Sequence, residues 1–376
     1  MAERACYRMA ARSPFHVGER GVGIEETSVV LHADTLFSAL CLTLRELGED
    51  LEAFLARFPR LVNGRLEGGP APLRLSSAFP YASDVHLFPR PMLQPPGLDE
   101  IGDPKLGKAL KKIHLVSQPI FEALLAGQSV AHYLTEEDPA RPGQRRLRPG
   151  VLVQGGQVWV TPAEAARLHR LADPWTGDVR LWAEETAPRV TVDRATNRSQ
   201  VYAVGRVRFA PGCGLFFLAE YQDPAWRPRL ERALRALGDA GVGGERSSGH
   251  GQFELEVTGA FPLAEPPLEE TNAYVVLSLY WPTEAEVRAG VLEGASYGLL
   301  NRRGWIGSPD GLNLRRRGVR MLAEGATLRQ APQGALADVK PLDPTPARNV
   351  PHDVWRYGLA FSVRGRVAGG KEQGDG

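Results

Sequence analysis

Cysteine is scarce in this 376-residue chain: Cys6, Cys41 and Cys213 are scattered, with no CxxC pair. That excludes a disulfide framework and a cysteine zinc site, and it fits a reducing cytoplasm. Long apolar runs are missing too. No stretch approaches the roughly 18 apolar residues of a membrane span, and the opening Met-Ala-Glu-Arg-Ala-Cys-Tyr-Arg has no apolar signal core. Nor is there an excess of charge of either sign. With a formal net charge of +1, a nucleic-acid partner has to be met by a local patch rather than a global field. Lysine is rare, six against 39 Arg. Arg forks onto phosphate and stacks on bases, although a GC-rich genome yields the same bias without a functional cause. No His/Asp/Glu group shows ligand spacing, so no metal or cofactor is expected. With 43% hydrophobic and 24% charged residues, the composition is that of an ordinary globular protein with room for two domains.

What the chain does have is glycine in one place. From Gly238 to Gly251 it reads Gly-Asp-Ala-Gly-Val-Gly-Gly-Glu-Arg-Ser-Ser-Gly-His-Gly, six glycines in fourteen residues. Such density suits a loop that needs positive φ or close backbone approach. Successive amides there form a nest for anions, with Arg246, Ser247, Ser248 and His250 as side-chain donors. Upstream, Asp223-Pro224 reads as a helix start, and Trp226, Leu230, Ala233, Leu234 and Leu237 recur at helical spacing. Downstream, Phe253, Leu255 and Val257 alternate as a strand. Nucleotide-binding loops of the P-loop and Rossmann kinds run strand, loop, helix, so the opposite order here disfavours a mononucleotide enzyme. The loop is either a phosphate cradle over Gly243 to Gly251 or a plain helix-to-strand turn.

The remaining pattern is mixed. Residues 4 to 11 alternate as a strand that ends at Ser13-Pro14-Phe15-His16-Val17-Gly18. Asp34 is positioned to cap a helix from Thr35 to Leu47, with Gly48 as its stop. His16 and His32 precede that helix, and each is open to reading as a general base, a ligand or a structural residue. Leu73 to Ala78 reads as a strand. After it the Pro-rich pieces, a helical stretch near Pro119 to Ala126 and a basic loop at Arg141 to Arg148 read as an insertion outside the core, about 80–199. Around Arg189, Arg194 and Arg198 the flanking Val190, Val192, Val201 and Tyr202 predict a projecting β-hairpin, either a basic finger for a nucleic-acid backbone or a solvated ribbon. Strands at Val204 to Phe209 and Leu215 to Tyr221 complete the order strand, helix, strand, insertion, strand, helix, loop, strand. The fold class expected is α+β: two ferredoxin-like domains, 1–260 with the insertion and 272–366 in degenerate form, then a disordered tail at 367–376. A sheet face of this kind is a known platform for RNA.

The second half opens with a strand from Ala273 to Trp281 and a short helix from Pro282 to Ala289. From Arg302 to Arg320 there are six Arg (302, 303, 315, 316, 317 and 320) against one acid, Asp310, so this span carries +5 in a chain that totals +1. Trp305 beside these Arg either stacks an unpaired base or sits in the core. A last strand is predicted from Val354 to Val363.

Assembled, these residues resemble a known family. Ser13-Pro14-Phe15-His16-Val17-Gly18, His32-Ala33-Asp34-Thr35-Leu36-Phe37, Ser76-Ser77-Ala78-Phe79-Pro80, Pro188-Arg189-Val190, Gly244-Glu245-Arg246-Ser247-Ser248-Gly249-His250-Gly251, Arg317-Gly318-Val319-Arg320-Met321 and Val354-Trp355-Arg356-Tyr357 jointly resemble the fourth subunits of the Csm, or type III-A CRISPR, RNA-guided effector complex, within the RAMP superfamily. The resemblance implies a non-catalytic, cytoplasmic RNA-binding subunit of antiviral defence. It would cap the 5′ tag of the guide crRNA and join the large Palm-domain subunit to a backbone RAMP subunit. On that reading His16, Arg189, Arg194, Gly243, Gly244, Arg246, Ser247, Ser248, Gly249, His250 and Gly251 are expected to meet RNA. Arg302, Arg303, Trp305, Arg315, Arg316, Arg317 and Arg320 form a second patch facing RNA or protein. Two alternatives stand beside it: a metal-independent RNA endonuclease using His16, His32 or His250 as base, and a purely structural subunit.

Overall fold

The structure, a computed structural model, describes residues 3–18, 25–62, 65–98, 104–192, 199–306, 314–341, 350 and 352–367. In chain order its main elements are β1 (Glu3–Ala11), α1 (Ala33–Glu46), β2 (Leu73–Leu75), β3 (Phe79–Ala82), β4 (Val85–Pro89), β5 (Leu115–Ser117) and α2 (Gln118–Leu125). There follow β6 (Leu152–Val153), β7 (Val158–Trp159), β8 (Trp182–Val192), β9 (Ser199–Phe209), β10 (Cys213–Tyr221), α3 (Trp226–Ala240) and β11 (Phe253–Ala260). One large mixed sheet runs β6-β7-β5-β4-β3-β10-β1-β11, with β2 also paired to β10. At one end of it, β11-β1-β10-β3 are mutually antiparallel, with α1 linking the first strand to the second and α3 the third to the fourth. This is the sheet order of a split β-α-β unit.

Alternation along β1 explains the layering. Ala5, Tyr7 and Met9 point to the helices and join Leu215, Phe217 and Ala219 of β10 with Leu36, Leu40, Leu230 and Leu234 in one core. The Tyr7 and Phe217 rings stack at 5.2 Å. The residues between, Cys6, Phe216 and Leu218, face the other way and are equally buried, against Phe88, Phe121 and Trp159.

That second core corrects two expectations. The segment read as an insertion outside the core supplies β3 to β7 and extends the sheet, and Phe88 and Phe121 stack at 4.7 Å within it. Strands β3 to β7 are only two to five residues long, too short to show a period. The face expected as an RNA platform is covered by this layer at Cys6, Phe216 and Leu218.

Smaller differences have local causes. The expected strand Leu73 to Ala78 breaks at Ser76 and Ser77, whose hydroxyls accept the Leu218 and Ala33 N–H groups, both at 2.9 Å. Val204 to Phe209 is no separate core strand. It is the base of a long ribbon in which β8 and β9 pair from Trp182↔Phe209 to Val192↔Ser199. From residue 273 on, Ala273–Val276 pairs with Thr327–Leu328 and Ser362–Gly365. The longer strands expected there are interrupted by Ser278, whose hydroxyl donates to Leu359 O and accepts Phe361 N–H. Among the described residues this half contains one α-helix, Glu284–Arg288, opened by a Thr283/Glu286 capping box. Some of its apolar residues share the two cores above, Leu336, Tyr357 and Leu359 in the first and Val275, Leu277, Phe361 and Val363 in the second, while Val276, Tyr280, Leu322 and Leu328 and, separately, Ile306, Val339 and Val354 form small clusters of their own.

Asp34 does not cap α1. His32 holds the cap position, and the Asp34 carboxylate is taken by two guanidinium groups. Arg302 Nε and Nη2 donate to its two oxygens at 3.0 Å, and Arg356 Nη1 donates to Oδ2. All three residues are at most 3% exposed. Burial alone would raise the Asp34 pKa, but Arg302 and then Arg356 outweigh it and hold the carboxyl well below the usual carboxylate range.

Two stability predictions follow from these contacts. Phe88→Ala should cost about 3–5 kcal/mol and lower the urea midpoint of the whole chain in one transition; a separate transition for residues 79–160 would contradict the shared core. Asp34→Asn should cost about 3–5 kcal/mol at neutral pH, because it leaves buried guanidinium groups uncompensated. A depressed folded pKa stabilises above the unfolded value of about 4 and is lost as pH falls below it. The gap between wild type and Asp34→Asn, followed by denaturation at pH 7 and pH 3, should therefore narrow in acid.

Candidate nucleic-acid interface

Helix α3 stops at Gly241, whose φ of +83° turns the chain and whose N–H still reaches Leu237 O at 2.7 Å. From there the loop is clamped onto the segment after β1. Gly244 N–H donates to His16 O at 2.9 Å and Gly251 N–H to Pro14 O at 2.8 Å. A Cβ on Gly243 would lie 2.4 Å from His16 O, and one on Gly244 2.5 Å from His16 Cδ2. Glycine is required at both by close approach.

These contacts narrow the expected cradle. The N–H groups of Val242, Gly244, Ser248, Gly249, His250 and Gly251 are all spent inside the protein. What faces solvent is the 3₁₀ turn Arg246–Ser248 with Gly249, entered through Glu245 in the left-handed region at φ +56°. Among the described residues no protein acceptor takes the Arg246 or Ser247 N–H. A Cβ on Gly249 would meet open space, so its φ of +79° alone calls for glycine there.

The ribbon flanks this turn. His16 Nδ1 donates to Gly205 O at 2.6 Å, and Phe15 pairs with Val207 through N–H···O bonds of 2.8 and 2.7 Å. His250 is 4% exposed, and among the described residues neither ring nitrogen has a hydrogen-bond partner. Burial, and then the positive charge of Arg189, hold its pKa below the usual value, so the ring is neutral at pH 7. The structure thus brings Arg189, His250 and the exposed Arg246 turn together, with His16 beneath them at 8% exposure. Arg206, not singled out in the sequence, also lies near His250. Its guanidinium is held by Glu185 at 2.9 Å. Arg194 falls outside the described residues.

The second patch divides. Arg302 is in the interior on Asp34, a correction to its expected place on a basic surface. Arg316 is turned toward α1, donating to Ser38 Oγ at 3.1 Å, and burial followed by the like charges of Arg356 and Arg302 lowers its pKa to about 10. Arg317 is paired with Asp338 at 3.0 Å. Arg303, Arg315 and Arg320 are exposed. Trp305 is half exposed, with the Arg315 guanidinium 4.9 Å above one ring face. Among the described residues no group of three or more His, Cys, Asp or Glu side chains is placed to hold a metal ion, and no helix is long and apolar enough to cross a membrane.

Comparison with known proteins agrees with this architecture. A family model described as the CRISPR Csm4 C-terminal domain matches residues 269–364. A Csm4 protein of Thermococcus onnurineus is 27% identical over 342 residues, covering 88% of this chain and 90% of that protein. One from Mycobacterium tuberculosis is 26% identical over 327 residues, covering 86% and 88%. Among solved structures, the fold is similar to a chain of the Csm3-Csm4 subcomplex of the type III-A CRISPR-Cas interference complex, with TM-score 0.61, 16% identity and coverage of 96% and 98%. It is also similar to a chain of a Csm1-Csm4 cassette in complex with cA4, with TM-score 0.56, 21% identity and coverage of 98% and 100%. With a Csm4 C-terminal domain matched over residues 269–364 and relatives aligned over most of its length, the chain is similar to the Csm4 proteins of the type III CRISPR Csm complex.

Proposed function

We propose that this chain is a non-catalytic subunit of a type III-A CRISPR effector complex that holds the 5′ tag of the guide crRNA on the Arg246–Gly249 turn. The observation that carries the reading is the coincidence, on a clamped backbone, of unspent amides, the exposed Arg246 and the neighbouring Arg189. A single-stranded tag offers phosphates to such a turn, and nearby ring and hydroxyl groups are suited to 2′-OH and base-edge contacts. The relatives in solved complexes, where Csm4 appears with Csm3 or with Csm1, support a position between a backbone subunit and the large Palm-domain subunit. The exposed Arg303, Arg315 and Arg320 with Trp305 form the second contact area. The 4-1-3-2 sheet order supports a ferredoxin-like unit for the first half.

The salt dependence of guide binding tests this directly. With labelled guide RNA, log affinity against log salt should lose about 0.7 of slope for each phosphate contact removed, so Arg246→Ala with Arg189→Ala should weaken binding and flatten the slope together. Unchanged affinity and slope would remove the turn from the binding surface. If purified protein in chelator instead yields a unique cleavage product from repeat RNA, and a change at His16, His32 or His250 abolishes it, the endonuclease reading replaces this one.

A further inference from the structure

One carboxylate in the glycine loop is left almost unused. Several of the protein's acids are spent inside it: Asp34 on Arg302 and Arg356, Glu185 on Arg206, and Glu324 on His32, whose Nδ1 lies 2.7 Å from Oε1. Glu245, which opens the Arg246–Ser248 turn, is different. Among the described residues it forms no ion pair, and its side chain takes one long hydrogen bond, from Ser248 Oγ to Oε2 at 3.4 Å. The residue is half-buried and stands next to the exposed Arg246. Its backbone sits at φ +56°, where glycine is favoured, in a stretch that already holds six glycines in fourteen residues. Of the described non-glycine residues, only Ser83 and Gln154 share that positive-φ region. A glutamate kept at such a position with its charge unpaired implies a role for the side chain.

An acid here is at odds with a plain anion grip. Glu245 directly precedes the unspent Arg246 and Ser247 N–H groups, so a phosphate held by them meets a like charge close by. What else the strand offers resolves the conflict. The sugar-phosphate chain of RNA is built of acceptors with one donor per nucleotide, the 2′-OH, and the chain of DNA has no donor at all. A carboxylate only accepts, so it matches the first and repels the second. The bases carry N–H donors too, but these stand beyond the sugar, whereas the 2′-OH is on the sugar joined to the gripped phosphate. We propose that Glu245 selects RNA over DNA, its carboxylate accepting a hydrogen bond from the 2′-OH of the nucleotide whose phosphate lies on the turn. This selection presupposes that the turn is where RNA binds, and it sets which class of strand the turn accepts.

The test uses the full chain and three labelled single strands of one guide sequence: RNA, its 2′-deoxy form, and its 2′-deoxy-2′-fluoro form, which keeps an RNA-like sugar pucker but cannot donate. Wild type should bind RNA about tenfold or more tightly than either of the others, the size of one hydrogen bond to a charged group. Glu245→Gly, which suits the left-handed backbone, should bring the three affinities together, chiefly by raising those of the two non-donating strands as the like-charge repulsion goes. Glu245→Gln, which keeps an acceptor oxygen without the charge, should fall between. A merely structural role for Glu245 would shift all three strands alike and leave their ratios standing. Equal binding of the RNA and fluoro strands by wild type, or ratios unchanged in Glu245→Gly, overturns the proposal. Arg246→Ala with Arg189→Ala separates the two levels. If that pair weakens RNA binding while Glu245→Gly leaves the ratios alone, only the selection by Glu245 fails; if RNA binding is absent or unaffected by the pair, the turn is not the site and both fail.

Discussion

His16 is pinned at two points, and the candidate interface depends on both. Its carbonyl takes the Gly244 N–H at 2.9 Å, and its ring donates to Gly205 O at 2.6 Å. One residue thereby fixes three stretches of chain: the exit from β1, the glycine loop after α3 and the base of the β8–β9 ribbon. Each bond is a buried exchange worth about 1 kcal/mol net, but losing a partner strands a buried polar group at a cost of about 1–3 kcal/mol. The arrangement is tolerant of little. It requires glycine at 243, 244 and 205, where an added Cβ would lie 2.4, 2.5 and 2.2 Å from the nearest atom.

The same economy governs the arginines. A span of +5 suggests a strong local field, yet guanidinium groups turned inward contribute little to what a strand of RNA meets. Arg302 is held by Asp34 across 268 residues of chain and Arg356 by the same carboxylate across 322. These contacts lash α1 to the C-terminal half, with Arg316 crowded alongside at a lowered pKa. The positive surface is therefore smaller than the residue count implies. It gathers at Arg303, Arg315 and Arg320 and, separately, around the Arg246 turn.

Local chemistry was readable where it repeats. The period of Leu36, Leu40 and Leu44 marks α1, the glycine density marks the loop, and Val190 against Val201 marks the ribbon, where they do pair. What escaped reading is non-local. Nothing near Asp34 announces Arg356, and nothing near His32 announces Glu324. One signal was available and unused. Arg302 and Arg303 are neighbours at the end of a strand, Leu299–Arg302, and alternation along a strand sends adjacent side chains to opposite faces. A shared surface for both was improbable on that ground, and the structure buries one and exposes the other. The pieces between Phe79 and Trp159 were unreadable for a different reason: a strand of two to five residues does not complete enough periods to distinguish it from a loop.

Burial of the sheet on both faces limits where the proposed guide RNA could lie. With Cys6, Phe216 and Leu218 sealed under Phe88 and Phe121, bases could not spread over the central strands as they do on an open sheet, and the proposed contact falls to the rim. A rim made of backbone amides and arginine grips the sugar-phosphate chain without reading sequence. Behind that rim the buried His32–Glu324 pair, Nδ1 to Oε1 at 2.7 Å, lines a cavity. It also lies within reach of the clamped segment: Thr27 lines the cavity and its hydroxyl accepts the Val17 N–H at 3.1 Å, next in sequence to His16. The segment that anchors the loop is thus tied to the cavity rim, so a change in how residues 14–17 sit would be felt at both.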